Sequence, residues 1–320
     1  MDKKKGLLMI IALVLVVVLV LVLCITSCEE EQESKLQIGL CLRQYEEDPR
    51  YGQLLQTRLS ELGYEVQLQD AKNDQIRQTE QIDALLEEGV VLMVIEPVIQ
   101  DTAEATAALL MEKNVPAVFL GSCPETALEK WDRLSFVGTA EDQLGQMQSK
   151  IVLQAPNGGD LNEDGQISCL VISGPEDDIS AKAQAEDCLD ALVQEGLIVD
   201  RIDTSWGEWT QDSGRARCAK ALSQYGRDIE VIFCGNEEIT LGALEAVQAG
   251  GWQIGRDYLL VGVGAEEKLS AGAITGTVVS DPEGVAQQVL TVAQSLINGE
   301  PVEKEYYVNH KLLTPEKSEL

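Results

Sequence analysis

Apolar and polar positions alternate in a clear rhythm from residue 35 onward. Residues 35–42 (KLQIGLCL) read as a strand, and 52–62 carry apolar side chains at helical spacing before a stop at Gly63. A second strand is expected over 64–69. Residues 73–89 predict a long helix with Ile76, Ile82, Leu85 and Leu86 along one face. The unbroken apolar run 91–95 suits a parallel strand covered on both sides. A helix over 103–112 and a strand over 117–120 complete a βαβαβα order, which predicts a doubly wound parallel sheet.

The rhythm then restarts. Strands are expected over 167–173, 197–203, 229–234, 258–263 and 277–279, with helices over 181–194, 213–224 and 239–248. Two successive α/β units of similar size predict two lobes. In open sheets of this kind ligands bind beyond the carboxyl ends of the strands. Two such ends facing one another form a cleft that can close on a small molecule. No helix-turn-helix pattern precedes the first lobe, which argues against a repressor.

The first 28 residues follow a different logic. Three lysines (Lys3–Lys5) precede an apolar run over 7–23, and a small-residue stretch ends at Cys28. Basic start, apolar middle and small-residue end is the layout of an export signal. Ile25-Thr26-Ser27-Cys28 resembles a bacterial lipobox, so residues 1–27 are expected to be removed and Cys28 lipidated. Residues 28–34 would then be a polar tether. An uncleaved transmembrane anchor is the alternative, because the apolar run is long enough to span a bilayer. In either case the lysines hold the start of the chain in the cytoplasm and the globular part faces outward.

Formal net charge is −30, and the leader is itself net positive. So acidic a surface repels phosphate backbones and excludes nucleic-acid binding. The single histidine, His310, makes a Ser-His-Asp triad or a histidine-based zinc site hard to build. No spacing singles out a catalytic carboxylate pair, so no enzyme is expected. Eight cysteines form no legible disulfide framework. Cys41, Cys169 and Cys234 lie in apolar runs, where free cysteine behaves as a small hydrophobe.

One stretch carries specific chemistry. In DLNEDGQIS, oxygen-bearing side chains fall at loop positions one, three and five (Asp160, Asn162, Asp164), with Gly165 at six and Ile167 at eight. That is the first part of an EF-hand calcium loop. Gln166 could offer its carbonyl and Ser168 its hydroxyl. Position twelve, which should be a bidentate glutamate, is Val171. Calcium therefore needs a carboxylate from elsewhere, and an ordinary acidic turn is the alternative.

The chain as a whole resembles the bacterial galactose/glucose-binding family of periplasmic sugar receptors. The segments NDQIRQTEQIDALLEEGV (73–90), NVPAVF (114–119), FVGT (136–139), DLNEDGQI (160–167), IEVIF (229–233), GALEAV (242–247) and GAITGTVVSD (272–281) carry the resemblance, in the family's order. It implies a type I periplasmic-binding fold, with one lobe over 35–139 plus 281–299 and the other over 140–280 plus 300–320. It also implies a structural Ca2+ in the second lobe whose missing glutamate is Glu230. Ser168 stands where the family has glutamine, so that ligand is shorter.

The family's sugar site is matched less well. Trp209 falls on one stacking ring, Glu47 or Asp48 on the first-lobe aspartate, and Tyr51 near the other ring. Gly121 and Gly235 replace asparagines, Gly264 an aspartate, and Asp177 a histidine; Ala183 lies near the arginine and Ser280 at the last asparagine. Buried hydroxyls left without partners cost about 1–3 kcal/mol each, so glucose and galactose are not expected in the family's pose. Residues expected to line the cleft are Tyr45, Glu47, Asp48, Tyr51, Glu96, Asp177, Asp178, Trp209, Asn236, Glu237 and Asp281, some of which could be ordinary loop acids. The function implied is a monomeric solute-binding protein on the outer face of the membrane. It would hand a small polar ligand, a sugar or sugar derivative, to an ABC permease. A ligand sensor docking on a histidine kinase or chemoreceptor is the alternative.

Overall fold

The computed structural model describes residues 35–44, 49–121, 123–140, 143–270 and 272–315. Cys28, the leader and the tether, and also Tyr45, Glu47 and Asp48, lie outside the described residues.

The first sheet contains β1 (Gln37–Leu42), β2 (Glu65–Asp70), β3 (Leu92–Ile95), β4 (Ala117–Leu120) and β5 (Leu134–Thr139). Between them run α1 (Pro49–Glu61), α2 (Gln75–Glu87), α3 (Ala103–Lys113) and α4 (Glu125–Lys130). β3 and β4 are buried at every position, as strands covered on both faces must be. Two apolar layers flank the sheet, one around Leu40, Leu55 and Val94, the other around Ile82, Met93 and Phe119. In α2 the buried stripe is Gln78, Ile82 and Leu85, whereas Ile76, expected on that face, is 72% exposed. Asp74 caps this helix and fixes its start, turning Ile76 in the first turn toward solvent.

The second lobe contains α5 (Leu144–Gln154), β6 (Ile167–Ser173), α6 (Ile179–Gln194), β7 (Val199–Trp206), α7 (Gln211–Tyr225), β8 (Val231–Cys234), α8 (Glu237–Ala249), β9 (Leu259–Val263), α9 (Glu266–Ser270) and β10 (Gly276–Val279). After it come α10 (Pro282–Asn298), β11 (Glu305–Val308) and β12 (Lys311–Leu313). β7 runs three residues past its expected end at 203, because as an edge strand it tolerates the polar run DRIDTS.

The strand orders are β11-β5-β4-β3-β1-β2 and β12-β10-β9-β8-β6-β7. Every pairing is parallel except β10 with β12. The two orders are the same topology used twice, so β3 and β4 of one lobe correspond to β8 and β9 of the other. The chain passes between lobes after β5, after β10 and after β11. Segment 300–320, expected wholly in the second lobe, is therefore shared. β11 pairs with β5 of the first sheet and β12 with β10 of the second. Polar alternation in a short edge strand gives no clue to which sheet it joins.

The crossings are tied to one another. Ala140 donates its N–H to the Val308 carbonyl at 3.1 Å, and Lys311 pairs with Asp281 at 2.8 Å. That ion pair, with the Gly284 N–H, holds the Asp281 carboxyl below the usual carboxylate range.

Candidate functional site

The second sheet presents two distinct edges. At its amino edge the loop 160–168 leads into β6, and Glu230 immediately precedes β8. The structure brings them together. Glu230 is 2% exposed, and its Oε1 accepts N–H bonds from Leu161 (2.7 Å) and Asn162 (2.9 Å), while Oε2 accepts from Ser168 (2.9 Å). Asp160 accepts from the N–H groups of Asp164 and Gly165, Asn162 from Asp164, and Asp164 from Gln166. Gly165, at φ 91°, supplies the left-handed turn at loop position six.

These side chains suit a hard cation in chemistry, since every candidate donor is an oxygen. Among the described residues, no Lys or Arg pairs with the buried Glu230 carboxylate. Yet no group of three or more His, Cys, Asp or Glu converges as a ready metal cluster among them either. The carboxylates turn onto loop amides instead.

The carboxyl edge of the same sheet carries the expected ligand residues, and helix capping has engaged several of them. Asn236 caps α8, accepting from the Ile239 N–H at 2.8 Å, and its Nδ2 donates to the Trp209 carbonyl at 3.4 Å. Asp178 caps α6 through the N–H groups of Ser180 and Ala181, and it also accepts from Trp209 Nε1 at 3.3 Å. Those bonds, the Ala181 one foremost, hold its carboxyl below the usual carboxylate range. Asp281 caps α10 and pairs with Lys311. Asp177 is exposed at the tip of its loop. Capping residues cluster here because in a parallel α/β sheet each helix starts just after a strand ends.

Trp209 has a definite seat. A Cβ on Gly174 would fall inside its indole, and one on Gly235 would lie 2.8 Å from its ring. The ring thus occupies the space that the expected asparagine at 235 would need. Below it lies a small cavity bordered by Ser173, Gln148, Gln184 and Gly235. Ser173 is 1% exposed, and its hydroxyl has no hydrogen-bond partner among the described residues. Gln184 donates to Gln148, which donates to the Cys234 carbonyl. Sequence reasoning missed Ser173, Gln148 and Gln184. Only the position of Ser173 at a strand's carboxyl end could have drawn attention to it.

The two other glycine departures follow one rule. Gly264 (φ 73°) lies against Glu237, whose Cβ would be 2.7 Å from an added Cβ. Gly121 (φ 68°) lies against Glu96, with Cγ at 3.6 Å from one. In each lobe, a carboxylate from the neighbouring strand end covers the bare position. On the first lobe Glu96 is paired with Arg43 at 3.5 Å, and the Arg43 N–H also donates to it at 3.3 Å. Tyr51, in the first turn of α1, packs against the core near Glu96; burial first, then that carboxylate, raises its phenol well above the usual range.

Residues 48–301 match the model of the periplasmic binding protein domain, so the chain belongs to that family. Over 245 residues it is 27% identical to the D-galactose/methyl-galactoside binding periplasmic protein of Haemophilus influenzae, covering 74% of this chain and 73% of the other. It is 22% identical over 263 residues to the ribose import binding protein of the same organism, covering 81% and 84%. Its fold matches an ABC transporter solute binding protein from Bacillus halodurans, crystallised with myo-inositol. That match has TM-score 0.63 and 20% identity, covering 89% of this chain and 96% of that one. These relatives are binding proteins rather than enzymes, and the fold is two parallel-sheet lobes of the type I periplasmic-binding kind.

Proposed function

We propose that this chain is an exported, lipid-anchored receptor of an ABC importer. It captures a small polar solute, a sugar or sugar derivative, between the carboxyl edges of its two lobes. The observation that carries this reading is the family match across 254 residues (48 to 301 inclusive), which embraces both lobes. The named relatives bind galactosides and ribose, and the B. halodurans protein holds myo-inositol, which sets the solute class. The glycine departures support a changed specificity: Trp209 and Glu237 fill places at Gly235 and Gly264 where the resemblance expects polar side chains, and Glu96 lies in ordinary contact with Gly121. Lipidation at Cys28 would keep the receptor beside its permease, and intact-mass analysis of membrane-extracted protein tests it. A chain still carrying Met1 refutes the anchor.

Calcium belongs to the same reading. Asp160, Asn162, Asp164, Gln166, Ser168 and Glu230 would hold it, and its charge would offset three carboxylates. The buried Glu230, without a basic partner among the described residues, supports this. Titration calorimetry of the detergent-solubilised full chain against neutral monosaccharides, inositols and their amino derivatives, with and without calcium, is the decisive experiment. Micromolar binding of glucose or galactose would overturn the changed specificity. No binding by any sugar-class solute would overturn the receptor reading.

A further inference from the structure

The carboxyl edges of the lobes are built alike but differ in charge. On the first lobe, the carboxylate covering the bare glycine after β4 is neutralised by Arg43, the residue directly after β1. On the second lobe, the corresponding carboxylate is Glu237, covering Gly264 after β9. The residue directly after β6, in the place of Arg43, is Gly174, and the Trp209 indole lies over it. Glu237 is exposed and makes no ion pair among the described residues.

Its surroundings deepen the contrast. The loops after β6, β7, β8 and β9 read GPEDD, GEWT, GNEE and GAEE, with no lysine or arginine in any of them. Asp177, Glu208, Glu237 and Glu266 are all exposed. Basic side chains do stand near this edge: Lys182 and Lys268 lie in the first turns of the helices that follow the first and last of these loops. Arg217 lies beside Gly207 at the edge strand, with Nε 3.2 Å from where a Cβ would be, and Lys311 is engaged by Asp281. A separate observation points to a ligand rather than to solvated acids. The Ser173 hydroxyl, 1% exposed and unpartnered among the described residues, borders the same spot beside Gly235 that Trp209 covers. A buried hydroxyl without a partner is rare and calls for one.

We infer that the second lobe takes a ligand carrying a protonated amine. The ammonium sits by Glu237 and the Trp209 face, filling the role Arg43 fills on the first lobe, and a ligand hydroxyl or its bridging water bonds Ser173. An ammonium gains charge-assisted hydrogen bonds from carboxylates and is attracted to the face of an indole. The ligand class is therefore an amino sugar or aminocyclitol. This inference rests on the solute-receptor reading above.

The test is titration calorimetry of the detergent-solubilised full chain with matched pairs. Glucosamine is compared with glucose, and an aminodeoxyinositol with myo-inositol. Measurements at about pH 6 and about pH 9 lie either side of the amine's titration. The expected result is that an amine binds about tenfold or more tightly than its neutral counterpart at the lower pH, as one charge-assisted bond provides. The preference shrinks at the higher pH, and Glu237→Gln narrows the ratio. Ser173→Ala weakens amine binding at either pH. Equal or tighter binding of the neutral partner overturns the inference but leaves the receptor reading standing. Binding by neither member of either pair overturns the inference as well. If the wider sugar-class series is also silent, the receptor reading falls with it. An unaltered ratio in Glu237→Gln, or unaltered affinity in Ser173→Ala, also counts against it.

Discussion

The two lobes repeat one topology, yet they handle burial and charge at their functional edges in opposite ways. On the first lobe, Glu96 is held by Arg43, and Tyr51 is packed into the core beside it. On the second, Glu237 stands without a basic partner among the described residues. The amino edge of that lobe buries another carboxylate, Glu230, among backbone N–H groups alone. The first lobe pairs the carboxylate at that edge with its own arginine. The other leaves a carboxylate at each edge without a basic partner among the described residues, and there the proposed metal and the proposed ligand would meet it.

Breaking the amino edge should have the largest effect. Glu230→Ala removes the acceptor for three N–H groups in a buried setting, and each unmet donor costs about 1–3 kcal/mol. A loss of at least about 3 kcal/mol in chemical denaturation is expected, together with loss of any calcium-dependent rise in melting temperature. In the unaltered chain, calcium at about 100 times its dissociation constant should add about 2.7 kcal/mol, and chelation should remove it.

Restoring a side chain beneath Trp209 tests the carboxyl edge. Gly235→Asn must displace the indole, at a cost of about 1–3 kcal/mol, and should not confer glucose binding. Calorimetry and denaturation on one preparation check both halves.

The crossing between the lobes gives a smaller, pH-dependent signal. Asp281 titrates below its ordinary value in the folded chain, chiefly because of Lys311. Its contribution is therefore present above the unfolded carboxyl pKa of about 4 and fades as pH falls through the lower folded value. Lys311→Met should cost up to about 1 kcal/mol near neutrality, since Lys311 is half exposed, and the two proteins should converge in acid. Thermal melts across that range decide it. Smallest of all, Arg43→Gln should change stability by less than about 0.5 kcal/mol, because its pair is exposed. It would make the first edge as acidic as the second, and any amine preference should rise.

Most of the architecture was legible in the sequence because the core is apolar runs at strand and helix spacing. Within the expected 91–95 the strand is Leu92–Ile95, and both it and Ile167–Ser173 are buried throughout, as their composition requires. The capped, amphipathic helix Pro282–Asn298 is equally legible from its apolar spacing. Strands Glu305–Val308 and Lys311–Leu313 were not, since short polar edge strands owe their pairing to distant partners. At the sites, the loop 160–168 announced itself through local spacing, whereas the fit of Glu230 into it joins positions 62–69 residues apart.

The sequence alone determined the two-lobed α/β layout, the export signal pattern and the calcium-like loop. Each of these is written in local periodicity or fixed spacing, which a chain carries before it folds. The tertiary structure decided which acids are caps, which are neutralised and which are left open. It seated Trp209 over two glycines, set Glu237 against Gly264 and left the Ser173 hydroxyl without a partner among the described residues. Such facts depend on side chains from separate strands meeting at one sheet edge, and no local pattern in the sequence encodes that meeting.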